Sequence, residues 1–248
     1  MSIEFSNCTF GYLWKRPIFS DLNLTFADGR TVLLGENGAG KSTLLSLAAS
    51  TRLPNRGSVR YGHRETNRRS DQREYRKLIA WMPQDIKGIR GLSAREQVAY
   101  FAWLKGLSRS DAWERSLTAL EVVDLKNEAD KKVHHLSGGQ LRRVGIAQAI
   151  AHDAQVYLLD EPTAGLDPLQ RRNFHAVITR ISRDASVIVS THDISDLDEE
   201  YDNVIVIRHG RIVFQGEVSQ FLEFAPTDVA PGRRAEHAYA AFCQGASR

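Results

Sequence analysis

The chain has 248 residues, 42% of them hydrophobic, with 33 Lys and Arg against 30 Asp and Glu and a formal net charge of +3. That balance excludes a disordered chain and a strongly basic tail, and a chain this long buries its own core without disulfide or metal staples. The only cysteines, Cys8 and Cys243, sit at opposite ends, so no disulfide framework is expected and a reducing, cytoplasmic setting is.

Ile3 to Phe26 predicts short strands with polar breaks, including the alternation Leu22, Leu24, Phe26, and Thr31 to Leu34 predicts a buried strand entering a glycine-rich turn. A helix is predicted from Lys41. Arg52 to Lys77 is polar and dense in arginine, and Leu78 to Met82 reads as a strand before Pro83. Ser93 with Glu96 three residues on opens a helix through Val98, Phe101, Ala102 and Leu104. Ser108 with Asp111 opens another, with Trp113, Leu117 and Leu120 on one face. Ile86 to roughly Val133, about 86–136 as a unit, therefore reads as a helical subdomain inserted into an α/β core.

After Ser137 comes a helix with Val144, Ala147, Gln148 and Ile150, then the apolar strand Val156 to Leu159. A helix near Pro168 to Arg180, a strand Ser186 to Ser190 and a strand pair, Val204 to Ile207 and Arg211 to Phe214, follow around Gly210. From Glu217 two short helices are expected, split by Pro226 and Pro231, in a stretch too short for an added regulatory barrel. Strands alternating with helices predict a mainly parallel sheet with helices on both faces. The N-terminus has neither a basic n-region nor an apolar h-region, and the longest apolar runs are strand-length, so no segment is expected to cross a bilayer.

Gly35, Glu36, Asn37, Gly38, Ala39, Gly40, Lys41, Ser42 and Thr43 form a complete P-loop, placed after a strand and before a helix. The glycines let consecutive N–H groups converge on an anion, to which the helix N-terminus adds partial positive charge. Lys41 is expected on the β- and γ-phosphates and the Ser42 hydroxyl on Mg²⁺. The strand Val156 to Leu159 delivers Asp160 and Glu161 to the carboxyl edge of the sheet, where open α/β folds bind ligands. Asp160 is expected to hold Mg²⁺, directly or through water, and Glu161 to polarise the water that attacks the γ-phosphate.

Leu136, Ser137, Gly138, Gly139 and Gln140 match the signature of the ABC ATPase superfamily without departure, and on these residues the chain resembles an ATP-binding subunit of that family. A Ser N-cap followed by two glycines makes a second helix N-terminus able to meet an anion. In the family that signature closes over the γ-phosphate held by the opposite cassette, so the resemblance implies ATP sandwiched in a head-to-tail dimer, with Asp167 of Ala164, Gly165, Leu166, Asp167 at its seam. It further implies that Gln84, in Met82, Pro83, Gln84, Asp85, senses Mg²⁺ and the attacking water, and that His192, in Ser190, Thr191, His192, Asp193, contacts the γ-phosphate. Tyr12 is the candidate for stacking on adenine, with Phe10 and Trp14 as alternatives, because the spacing to Ile18 and Phe19 is one residue longer than the family's usual.

The resemblance covers Ile3 to Gly216, assigning 1–216 to the nucleotide-binding domain and 217–248 to a short helical extension. It implies a P-loop NTPase-type, mainly parallel sheet with an antiparallel β subdomain and the inserted helical subdomain, active on ATP with Mg²⁺. Neither a long coiled coil nor a second cassette is present, unlike the family's chromosome and translation members. The expected partners are a second ABC ATPase subunit, identical or related, and a polytopic membrane subunit whose cytoplasmic helix docks near Gln84. The chain is then peripheral on the inner face of the cell membrane. Ser93 to Leu107 resembles exporters of drug, peptide or lipid type more than sugar importers. The arginine-rich segment and the run Asp196, Asp198, Glu199, Glu200, Asp202 are read as solvated faces, so nucleic acid is not expected as a partner and no Ca²⁺ loop is assigned.

Overall fold

The computed structural model describes residues 1–13, 16–192, 194 and 197–244. Trp14, Asp193 and Asp196, and the side chains of Asp198 and Glu199, lie outside what is described. The chain order is β1 (Ile3–Phe10), β2 (Phe19–Thr25), β3 (Arg30–Leu34), α1 (Lys41–Ala48), β4 (Arg56–Tyr61), β5 (Arg64–Glu65), α2 (Arg69–Leu78), β6 (Ile79–Met82), α3 (Ala94–Leu104), α4 (Arg109–Val122), α5 (Gly138–Ile150), β7 (Val156–Asp160), α6 (Pro168–Ile181), β8 (Ser186–Thr191), α7 (Leu197–Glu200), β9 (Asn203–Arg208), β10 (Arg211–Glu217), α8 (Val218–Leu222) and α9 (Arg234–Gln244).

The six-stranded sheet has the order β10-β9-β3-β8-β7-β6, parallel throughout except for the antiparallel β9–β10 pair at its edge. Its central strands β3, β8 and β7 are buried at every position after the first residue of β3 and of β8, because both faces of the sheet are covered. In β7, Val156 and Leu158 join the core shared with α1, whereas Tyr157 and Leu159 join the core shared with α3 to α6. β9 alternates likewise: Ile205 and Ile207 face the α1 side, Val204 and Val206 the α8 and α9 side. The antiparallel sheet β2-β1-β4-β5 closes over the α1 layer with Phe5, Phe19 and Val59. Asn7, at φ 48°, forms a bulge in β1, and this resets the alternation so that Phe5 and Cys8 both point inward.

The capping signals hold. Ser93 and Ser137 each form a full capping box, with Glu96 and Gln140, and Ser108 accepts from the Asp111 N–H. Both predicted helices form, and their burial follows size rather than hydrophobicity. α3 buries Ala94, Gln97, Val98 and Ala102 and leaves Phe101 and Leu104 exposed, while Trp113 of α4 is exposed under the Arg95 guanidinium, 3.9 Å above its ring. Helix contact here is made by small residues such as Ala112, Ser116 and Ala119, whose size lets α4 approach, and the large rings are left at the rim.

The arginine-rich segment, read as a solvated face, contains β4, β5 and α2. One fully buried residue suffices to fasten α2: Tyr75, whose hydroxyl donates to the Ala48 carbonyl at 2.6 Å. The acidic run is not wholly a solvated helix face. Asp202 lies beyond α7 and accepts from the Arg30 N–H at 2.8 Å and the Arg30 guanidinium at 2.9 Å, which holds its carboxyl below the usual range. Among the described residues, no helix is long and apolar enough to cross a membrane.

Candidate functional site

Four adjacent parallel strands, β3, β8, β7 and β6, end at one edge of the sheet in matched register, with Leu34 beside Thr191, Asp160 beside Ser190 and Met82 beside Leu159. The residues that follow are the P-loop, His192, Glu161 and Gln84. One sheet edge therefore gathers side chains separated by up to 157 positions in the chain, from Gly35 to His192.

Gly40 is the N-cap of α1 at φ 111°, a left-handed conformation that a side chain resists, and Phe19 stands 3.0 Å from where its Cβ would lie. No side chain caps α1, so its first-turn N–H groups face the cleft. Lys41, 6% exposed, folds back over the loop: its ammonium donates to the Gly35 carbonyl at 2.6 Å and lies 3.7 Å from Glu161 Oε1. The cleft, about 280 Å³, is lined by Tyr12, residues 36–38 and 40–43 of the P-loop, Gln84 and Glu161.

Glu161 is 5% exposed and at φ 49°. For a non-glycine residue this conformation costs energy, and the surroundings impose it. Its N–H donates to the carbonyl and the hydroxyl of Ser190, each at 3.1 Å, and its carbonyl accepts from Arg142 Nη1. The carboxylate is thereby fixed between Lys41 and His192, whose Nδ1 lies 2.9 Å from Oε2. The His192 ring is exposed. Asp160, 1% exposed, lies beneath the cleft and accepts a hydrogen bond from the Ser190 hydroxyl.

Sequence reasoning missed Ser190 and Arg142 as parts of this site. Ser190 looks like any strand residue, and Arg142 like any exposed helix arginine. Yet Arg142, from the helix that follows the signature, also donates to the Gln84 carbonyl at 3.1 Å, tying α5 to two loops of the cleft. Of the adenine candidates, Tyr12 lines the cleft, its hydroxyl 3.3 Å from Thr43 Oγ1 and the Arg52 guanidinium 4.6 Å over its ring, whereas Phe10 is buried in the core.

Ser137, Gly138, Gly139 and Gln140 lie outside the cleft. Space around Gly138 is open, and a Cβ at Gly139 would stand 3.7 Å from the Gln170 amide and 3.8 Å from the Gly165 carbonyl, so signature and Asp167 loop are neighbours. Asp167 caps α6 through the Gln170 N–H at 2.9 Å.

A second groove, about 250 Å³, lies between the end of β6, α3 and α5, lined by Trp81, Ile86, Phe101, Lys105, Gln148 and His152 among others. Trp81 Nε1, Gln148 Nε2 and both ring nitrogens of His152 are buried there without a hydrogen-bond partner among the described residues. Burial, and then the nearby Lys105 charge, push the His152 imidazole down to about 3. The folded protein therefore keeps His152 neutral where an unfolded chain protonates it, so stability is lost as pH falls from about 6.5 toward 3. Denaturant unfolding at pH 7 and pH 4.5 should show a loss of about 2 kcal/mol that His152→Gln abolishes. An equal loss in the variant would exclude His152 as its source.

An ABC transporter family model matches residues 19–164. The retinal-specific phospholipid-transporting ATPase ABCA4 of Homo sapiens is 33% identical over 202 residues, 81% of this chain, although the chain spans only 9% of that protein's length. The energy-coupling factor transporter ATP-binding protein EcfA2 of Streptococcus pneumoniae is 33% identical over 234 residues, 90% of this chain and 84% of the relative. Among solved structures, the dimeric ATP-binding cassette MJ0796 in a post-hydrolysis state with ADP and Pi superimposes with a TM-score of 0.80 at 25% identity, covering 87% of this chain and 98% of that one. With the P-loop, the carboxylate pair and an unbroken signature on one such scaffold, the chain belongs to the ABC transporter family as an ATP-binding cassette ATPase.

Proposed function

We propose that two cassettes close head to tail over two ATP molecules, each held by the P-loop of one and the signature of the other, and that this closure drives a separate membrane subunit. The observation that carries the reading is the division of anion sites: Lys41, Glu161 and His192 meet in one cleft, while the open N-terminus at Ser137 to Gln140 lies outside it. One nucleotide has no use for two such sites in one chain, and the dimeric neighbour supports the pairing. Asp167, beside the signature, is then at the seam.

Within each site, Lys41 exchanges its backbone carbonyl partners for the β- and γ-phosphates. Glu161 accepts the proton of the attacking water, and His192 holds the γ-phosphate. The carboxylate, hydroxyl and amide oxygens of Asp160, Ser42 and Gln84 suit Mg²⁺, which takes few protein ligands and keeps several waters. Among the described residues no cluster of three or more His, Cys, Asp or Glu offers an alternative cage. When bound, Mg²⁺ would neutralise charge on the phosphate oxygens. Tyr12 offers adenine the ring face opposite Arg52.

We take 1–216 as the cassette, about 86–136 as its helical subdomain and 217–248 as an extension, supported by the packing of α8 and α9 on β3 and β9. The second groove, adjoining Gln84, is the docking place for a cytoplasmic helix of the membrane subunit, whose acceptor groups would satisfy Trp81, Gln148 and His152. Export is the direction inferred, from the likeness of Ser93 to Leu107 to exporter cassettes. Affinity isolation of the tagged chain with ATP from detergent-solubilised membranes should recover a polytopic membrane protein. Recovery of ribosomes or nucleic acid instead would overturn the transport reading and leave the ATPase.

A further inference from the structure

The groove between α2 and the end of α3, about 590 Å³, is larger than the nucleotide cleft and has no part in the proposed catalytic chemistry. Its cations are Arg69, Arg73, Arg76, Lys77 and Lys105, and no aspartate or glutamate lines it. The first four recur at helical spacing on the face of α2 opposite the buried Tyr75, so the charges converge because the helix is fastened from behind. Glu74, at the rim, holds Lys77 at 2.7 Å, which leaves the other four without a carboxylate of the groove itself.

Two of these cations are fixed in place. The Arg76 guanidinium donates to the Ser50 carbonyl at 2.7 Å, and the Lys105 ammonium donates to the carbonyls of Arg76 and Ile79 at 2.7 and 2.6 Å. Carbonyl dipoles orient the charges without neutralising them. Burial, with the Arg76 charge, lowers Lys105 to about 8, the behaviour of an ammonium that lacks a counterion. Beside the cations stand apolar side chains: Trp103 and Leu104, exposed, line the groove, and Tyr100, also exposed, packs against the Trp103 ring at 6.1 Å.

We propose that this groove binds the phosphate headgroup of an anionic phospholipid, with Trp103 and Leu104 at the acyl boundary. Basic side chains beside exposed Trp and Leu are the arrangement that holds proteins at a membrane surface. A soluble phosphate compound would use the cations and leave the apolar rim idle. Lys105 and α3 also line the docking groove, so the two grooves adjoin. The orientation toward the bilayer rests on the membrane-subunit reading, but the test below contains no membrane subunit, so either can fail without the other.

The 248-residue chain is sedimented with vesicles of phosphatidylcholine alone or of phosphatidylcholine with phosphatidylglycerol. Binding is expected only to the second, weakening with salt. Arg69→Glu with Arg73→Glu, exposed residues outside the nucleotide cleft, should weaken it roughly a hundredfold or more while basal ATPase activity stays unchanged. A matched reversal at the exposed Arg183 and Arg211, elsewhere on the chain, should leave it near the original. Equal loss in both pairs, or binding to phosphatidylcholine alone, would overturn the assignment. So would saturation of the groove by inorganic phosphate without vesicle binding, or tighter binding of an RNA oligomer than of the vesicles at equal salt.

Discussion

Replacing Glu161 by glutamine is expected to lower ATP turnover roughly 10²- to 10⁴-fold while leaving ATP bound, the range that a positioned proton acceptor contributes. The amide keeps the shape of the carboxylate and can still stand beside the Lys41 ammonium, but it cannot take a proton from water. The left-handed backbone at this residue is held by the Ser190 carbonyl and hydroxyl and by Arg142, none of which the substitution touches, so the geometry should survive. Closure over ATP should then outlast each hydrolytic event, and the closed dimer should accumulate. Phosphate release in a single turnover and sedimentation velocity with ATP measure the two halves of this expectation. Turnover as fast as that of the unaltered chain would remove Glu161 as the base; slow turnover without a dimer would leave the base and discard the sandwich. His192 offers an internal comparison, because it touches Glu161 at 2.9 Å yet is exposed. His192→Ala should slow turnover without trapping the dimer to the same degree.

The parts of this site that were legible in the sequence are those whose chemistry is local. A P-loop must follow a strand and open a helix, and Gly40 cannot carry a side chain at φ 111°. Ser93, Ser108 and Ser137 announce their helices because a cap needs only one hydroxyl and one N–H three residues on. What remained hidden depends on the third dimension. Arg142 reaches two carbonyls 58 and 19 positions away, and no pattern in the chain marks it. Ser190 joins Asp160 to Glu161 only because β7 and β8 are adjacent and in register. Which side chains of α3 and α4 are buried was hidden for a related reason. Burial there follows the small residues that let helices approach, whereas a periodicity reading weights Phe101, Leu104 and Trp113 for their size. Likewise, α2 is held by Tyr75 among charged neighbours, too few apolar residues to register as a helix.

Removing the Lys41 ammonium should have a different signature from removing the Glu161 charge. Lys41 is 6% exposed and already oriented toward the cleft by the Gly35 carbonyl, so little ordering is needed when it meets phosphate. A charge-assisted contact of this kind contributes about 1.5–3 kcal/mol, and Lys41→Ala should weaken ATP binding roughly ten- to a hundredfold and slow turnover as well. The folded chain should also feel the change. Glu161 is 5% exposed, and without the ammonium 3.7 Å away its buried carboxylate loses its lysine partner and keeps the His192 ring at 2.9 Å. The thermal unfolding midpoint of Lys41→Ala should therefore fall without nucleotide, and Lys41→Ala with Glu161→Gln should recover much of that loss while still failing to hold ATP. Additive losses in the double variant would mean that the two side chains act independently, and that the 3.7 Å approach carries no coupling. If instead the lysine variant binds ATP as tightly as the unaltered chain, affinity rests on the α1 N–H groups and the adenine contact. Lys41 would then act only on the charge that develops during γ-phosphate transfer, and its whole effect would fall on turnover.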